Sequence, residues 1–170
     1  MSDTFAEVAQ ESRGVQRALW VRRAVLVVLG IVAALALLDR FGQRPAQRTV
    51  RVPAATMTLT APEHVRGGIF FESRLDIRAT QAIDHPRIVL DRGWVEGMQV
   101  NSIEPGPVGE AARNGRVVLS YDAMKPGDLL SVWLQFEVNP TNVGHRSYAV
   151  ELDDAERPVA RLAPTIRSWP

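Results

Sequence analysis

A single uncharged run, residues 24–38, breaks a chain in which most other apolar residues alternate with polar ones. The run reads Ala-Val-Leu-Val-Val-Leu-Gly-Ile-Val-Ala-Ala-Leu-Ala-Leu-Leu, and no polar face remains in it to turn toward water. A helix needs about 20 apolar residues to cross about 30 Å of hydrocarbon. The flanks supply the difference. Positions 19–41 include Arg22, Arg23 and Arg40, whose stems can carry their charges back to water, and Trp20, placed as an interfacial anchor. The pattern therefore predicts a transmembrane anchor helix over 19–41. A cleaved leader is the alternative, because Ala34-Leu35-Ala36 has small-x-small spacing. Against it, 23 residues precede the run, and the bulky Leu37-Leu38 pair would follow the cut. Upstream, residues 1–18 read as a short cytoplasmic helical stub. Thr4 and Glu7 have capping-box spacing, and Phe5, Val8, Val15 and Leu19 fall on one stripe.

Beyond the apolar run the period changes. Residues 42–54 mix Pro, Gly and Arg with no sustained repeat and read as a linker. From residue 55 the chain alternates with period two. Met57, Leu59 and Ala61 face one way and Thr56, Thr58 and Thr60 the other. In 69–79, Ile69, Phe71, Ser73, Leu75, Ile77 and Ala79 oppose Glu72, Arg74, Asp76 and Arg78, so one face is buried and one is in water. In 129–138, Leu130, Val132, Leu134, Phe136 and Val138 oppose Ser131, Trp133, Gln135 and Glu137. Shorter runs follow the same rule at 87–91, at 94–100 (expected to pair with 87–91 across Arg92-Gly93), at 116–121 after Asn114-Gly115, and at 146–152. A polar hairpin at 153–156 leads to 158–162, where Pro158 suits an edge.

Seven to nine strands with turn chemistry every 8–15 residues, and no helical window among them, predict a mainly β domain over 55–170. The architecture is an antiparallel Ig-like β-sandwich preceded by one transmembrane helix. The strand ending Trp133-Leu134-Gln135-Phe136-Glu137-Val138-Asn139-Pro140, preceded by Pro126-Gly127-Asp128, resembles the Ig-like extracytoplasmic domains that bacteria tether by a single N-terminal helix. The resemblance spans about residues 55–165. It implies a domain that binds, spaces or braces, and it implies no catalytic residues.

Charge sharpens the topology. Residues 1–51 hold eight Arg against four carboxylates, whereas the remainder holds 12 basic and 15 acidic residues. Arg13, Arg17, Arg22 and Arg23 precede the span, and Arg40, Arg44, Arg48 and Arg51 follow it. The Arg22-Arg23 pair abuts the span, while Asp39 offsets Arg40, which favours a cytoplasmic N-terminus. The expected location is the plasma (inner) membrane, single-pass, with the C-terminal domain extracytoplasmic. A net charge of +1 and a pI near 8.3 give no basic stripe for nucleic acid. No cysteine is present, which excludes a disulfide framework and thiol chemistry.

Candidate chemistry is sparse. His64, His85 and His145 have no metal-ligand spacing, and Asp153, Asp154 and Glu156 lack the run of a calcium loop. There is no Gly-x-Ser-x-Gly elbow, no Ser-x-x-Lys and no phosphate-cradling Gly loop. The expectation is no enzyme, no cofactor and no metal. Aromatic residues say more. Phe70 and Trp133 fall on the polar faces of their strands, either paired with each other or forming an exposed patch. In an Ig-like strand order, loops 80–86 and 139–145 share the membrane end, which brings His85, Asn139, Asn142 and His145 together. Phe70, His85, Trp133, Asn139, Asn142 and His145 are the candidate partner-binding residues. The lipid bilayer is one partner, through 19–41, and a membrane or envelope protein is the other. The function expected is a binding or accessory module, with a non-catalytic ligand binder or sensor as the alternative.

Overall fold

The computed structural model describes residues 3–37 and 43–169, and internal contacts divide it between Gly42 and Gln43 into two units. The first is a 35-residue helix, α1 (Asp3–Leu37). Its start precedes Thr4, and the side chains of the proposed cap and of Phe5, Val8 and Val15 in the stripe lie outside the described residues, while Leu19 is exposed. So does Arg40.

The second unit is built from 13 strands among the described residues, more than the seven to nine expected. They are β1 (Pro45–Arg51), β2 (Ala55–Pro62), β3 (His64–Arg66), β4 (Phe70–Ala79), β5 (Pro86–Leu90), β6 (Met98–Glu104) and β7 (Gly109–Arg113). After them come β8 (Arg116–Ser120), β9 (Leu129–Val138), β10 (Gly144–Ser147), β11 (Val150–Asp154), β12 (Arg157–Leu162) and β13 (Thr165–Trp169). They form one sheet ordered β1-β2-β4-β9-β6, a second ordered β12-β11-β5-β8-β7, and a small third ordered β10-β13-β3. All the pairings are antiparallel except β13 with β3.

The two five-stranded sheets meet as a sandwich because each presents an apolar inner face at period two. Met57, Leu59, Leu75, Ile77, Val132, Leu134 and Phe136 come from the first, and Ile88, Leu90, Leu119, Val150 and Leu152 from the second, all essentially inaccessible. Burying Leu134 or Phe136 contributes about 1.5–3 kcal/mol each in transfer energy.

Three expectations are corrected. The linker over 42–54 contains β1, which pairs with β2 from Pro45 opposite Pro62 to Arg51 opposite Thr56. It is an edge strand whose side chains are mostly exposed, so it shows no apolar alternation. Residues 94–100 do not pair with 87–91. Arg92–Trp94 is a 3-10 turn that sends Trp94 into the core and lets the chain cross to the other sheet, where β6 pairs with β9. The run 146–152 is two strands, because the chain leaves β10 at Ser147 and joins β11 at Val150, with Tyr148 and Ala149 buried between them. The Asn114-Gly115 turn is as expected. Both residues have positive φ (54° and 75°) and close the β7–β8 hairpin between Arg113 and Arg116, the geometry that matches strand twist.

Strand β9 fixes the first test. Phe136→Ala should cost about 3–5 kcal/mol once the cavity is counted. Trp133 lies on the outer face, its ring 4.8 Å from the Arg74 guanidinium, so Trp133→Ala should cost about 1 kcal/mol or less. Denaturant unfolding of the detergent-solubilised chain measures both, and equal losses would show the strand's faces reversed. Gly93→Ala should be more damaging than either, since a Cβ there would stand 1.8 Å from the Ser147 carbonyl oxygen. A variant with wild-type stability would refute that close approach.

Candidate functional site

Taken by itself, the helix offers the simplest site. Leu19–Leu37 has 19 residues and a mean hydropathy of 2.1. At 1.5 Å per residue it is about 28 Å long, close to the thickness of a bilayer's hydrocarbon core. Its described side chains are exposed, with Trp20 at 70% and Val27 at 61%. That length and composition suit a membrane anchor and a signal sequence alike.

Within the sandwich, the candidate residues separate. Strands β4 and β9 are hydrogen-bonded neighbours running antiparallel, with Phe70 opposite Glu137 and Arg78 opposite Leu129. The loop that follows each strand must therefore lie at opposite ends. His85 sits at the end holding Lys125. There Gly127 N–H donates to the Ala79 carbonyl at 2.9 Å, Ile83 bridges Met124, and His85 N–H donates to Asp154 Oδ1 at 2.8 Å. His145 and Asn139 sit at the other end with Phe70. The expectation that loops 80–86 and 139–145 share an end is thus overturned, and so is the grouping of His85 with His145.

Asn142 is also corrected. It is 4% exposed and acts as an internal strut rather than a contact for a partner. Its Nδ2 donates to the Gly97 carbonyl at 3.0 Å, its Oδ1 accepts from Arg146 Nε at 3.0 Å, and its backbone carbonyl accepts from the Ser168 hydroxyl. Phe70 and Trp133 do not meet each other. Phe70 lies opposite Glu137, and Trp133 lies opposite Arg74 in a polar ladder where Asp76 accepts from both Arg74 Nε (2.9 Å) and the Ser131 hydroxyl (2.6 Å). Phe70 is an aromatic in the open, 64% exposed, with Ile69 at 43% beside it. In register with Phe70 across Glu137 lies Gln99 of β6. A cavity of about 370 Å³, lined by Gly97, Met98, Gln99, Glu137, Asn139 and Pro140, opens there. Phe70 and Asn139 are the two candidate residues that this surface brings together.

Two surfaces escaped the sequence reading. One is a groove of about 290 Å³ on the outer face of the second sheet, rimmed by Arg87, Arg113, Arg116, Asp153 and Glu156 over Val89 and Val118. Glu151 anchors its edge by accepting from Arg116 (2.5 Å) and Arg161 (3.0 Å). Asp153 Oδ1 is buried and has no hydrogen-bond partner. Burial and then the neighbouring Glu151 push the Asp153 carboxyl up, against the opposing pull of Arg116 and Arg87. Asp91 nearby behaves oppositely. Burial would raise it, but hydrogen bonds from the Ser147 hydroxyl and the Arg92 backbone, with the charges of Arg116 and Arg161, bring it below its ordinary value. The other surface is the outer face of β10-β13-β3, where the in-register row His145, Arg167, His64 and the pair Trp169, Arg66 stand exposed. Register joins His64 and Arg66 to residues about 80 to 100 positions later in the chain, which no local spacing reveals. No group of three or more metal-ligating side chains occurs among the described residues.

No family model matches this sequence, and no curated protein does. Solved structures share a partial likeness. One is AvmM, which catalyses macrocyclization in alchivemycin A biosynthesis, at a TM-score of 0.45 and 7% identity over 76% of this chain and 90% of that one. Another is a non-cellulosomal cohesin from the hyperthermophilic archaeon Archaeoglobus fulgidus, at a TM-score of 0.39 and 13% identity over 63% and 86%. A third is BcpA, the major pilin subunit of Bacillus cereus, at a TM-score of 0.38 and 8% identity over 75% and 40%. Likenesses this distant assign no function to the chain.

The groove yields a pH test. A carboxyl held above its unfolded value keeps its proton more tightly in the folded state. Stability from Asp153 is therefore present at low pH and lost as pH rises from about 3.9 through the folded value. Asp153→Asn should raise Tm at pH 7 and change it little near pH 3. A lower Tm at pH 7 would mean that the attraction of Arg87 and Arg116 outweighs burial.

Proposed function

We propose that this chain is a single-pass membrane protein whose β-sandwich lies outside the cytoplasm as a non-catalytic binding or accessory module for another membrane or envelope protein. The observation that carries the reading is a 19-residue span of membrane length at the end of α1, followed from Gln43 by a separately packed β domain. Arg22 and Arg23 at the N-terminal side of that helix favour a cytoplasmic N-terminus. Phe70, Ile69 and the cavity beside Gln99 and Glu137 form the surface best suited to a protein partner, because an exposed aromatic next to a concavity gains most from being covered. A ligand-binding or sensor domain is the second reading, and the charged groove around Arg87 and Asp153 favours it.

Protease added to intact spheroplasts should digest residues 43–170 and spare the N-terminal stub. Protection of the sandwich would reverse the orientation, and a mature N-terminus near Leu37 would make the helix a cleaved leader. A photo-crosslinker at Phe70 should capture a membrane or envelope protein, whereas one at Lys125, at the opposite end, should not. Capture from Lys125 alone would move the working surface to the His85 end.

A further inference from the structure

The small third sheet has two faces of opposite character. Val65, Ile166 and Ser168 point inward and are buried. The alternate positions point outward. His145, Arg167 and His64 form one row across the three strands, with Trp169 and Arg66 paired two residues further on and Ser147 opposite Thr165 on the other side. All seven are exposed, and no carboxylate is among them. Two acidic residues that adjoin the sheet are already engaged, Glu63 before β3 with Arg48 at 2.6 Å and Glu96 with Arg146 of β10 at 3.6 Å. The Arg167 guanidinium lies 3.9 Å from the centroid of the Trp169 ring. A guanidinium stacked on indole keeps its donor edges free for planar, two-pronged anions. Val143, just ahead of the Gly144–Ser168 pair, adds an exposed apolar side chain beside the cations.

We propose that this face docks on anionic phospholipid headgroups of the membrane that holds the chain, a step that rests on the membrane-anchored reading above. Arginine meets lipid phosphate there, and Trp169 and Val143 meet the boundary of the acyl region, the arrangement that suits tryptophan at membrane interfaces. Position along the chain favours lipid over an acidic protein. The first strand after the helix begins at Pro45, opposite Pro62, and Pro62 stands two residues before His64. The chain thus joins the sandwich at the edge that carries the basic face. The electrostatic gain is roughly fivefold in the docked-to-free ratio per arginine, so removing both should shift it roughly 30-fold.

The absence of cysteine makes the test direct, since Thr165→Cys takes a single polarity-sensitive label on the full chain. The labelled chain is placed in nanodiscs of neutral phosphatidylcholine, or of the same lipid with about 30 mol% phosphatidylglycerol. In the anionic discs the label should shift to the blue and lose its quenching by iodide, and roughly 0.5 M salt should reverse both changes. Arg66→Glu with Arg167→Glu should abolish the response while leaving the circular dichroism spectrum and Tm unchanged. A label at Lys125→Cys should not respond. Equal quenching in both kinds of disc, or protection that survives the charge reversals, would overturn the docking. Protection that needs an added acidic envelope protein would also overturn it, by giving the face to that partner. A chain that enters neither disc refutes the anchor itself, and the docking with it.

Discussion

Everything in the sandwich turns on four aromatic rings. Trp94 and Tyr148 stack with centroids 3.7 Å apart. Phe136 lies 5.4 Å from Trp94, and Phe71 lies 5.3 Å from Phe136 and 6.1 Å from Tyr148. Such contacts add about 0.5–1.5 kcal/mol each beyond the area they bury. Each ring comes from a different element. Phe71 and Phe136 belong to β4 and β9 of the first sheet, Trp94 follows β5 of the second, and Tyr148 joins the third sheet to the second. Both polar handles are satisfied inside, Trp94 Nε1–H by the Ala149 carbonyl at 2.9 Å and the Tyr148 hydroxyl by Met98 Sδ at 3.3 Å. Burial drives the Tyr148 hydroxyl well above the ordinary tyrosine range, so it stays neutral in the core. The stack can form only because Gly93 lets the turn lie directly against the Ser147 carbonyl.

A second knot holds the end that carries Phe70 and His145. Asn142 joins the turn before β6, strand β10 and strand β13 through Gly97, Arg146 and Ser168. Gly97 has φ of +73°, and a Cβ there would come within 2.7 Å of the Asn142 side chain, so only glycine permits this approach. Gly67 is pressed in the same way against the backbone of Pro140. The loop 139–145 is therefore tied to the turns before β4 and β6. Asn139 at its start lines the cavity beside Phe70, and His145 at its end stands in the row with Arg167 and His64.

The long central strands were legible in the sequence because one face is buried and one is wet. Leu75, Ile77, Leu134 and Phe136 alternate cleanly with Arg74, Asp76, Trp133 and Gln135. The edge strands were not, and for a physical reason. β1 has no buried face to mark, and β7 is Gly-Glu-Ala-Ala-Arg, short of the branched and aromatic residues that favour strands. Trp94 reads as a strand residue until the turn at Arg92 is known. Among the candidate site residues, alternation placed Phe70 and Trp133 on the outer face, as found. Loop identity misled. An exposed-looking Asn142 is buried by contacts with residues 26 and 45 positions away, and nothing local to it in the chain records that.

The parallel pairing of β13 with β3 has a consequence for the order in which the domain assembles. Val65 lies opposite Ser168, so β3 emerges from synthesis about 100 residues before the strand that completes it. The hairpins β1–β2, β7–β8 and β11–β12 can form within their own stretches of chain. The third sheet cannot, and until it closes, Val65 and the mouth of the core around Tyr148 stay open. For the chain as it leaves the ribosome, this late seam is the interval in which chaperones and proteases have their best access.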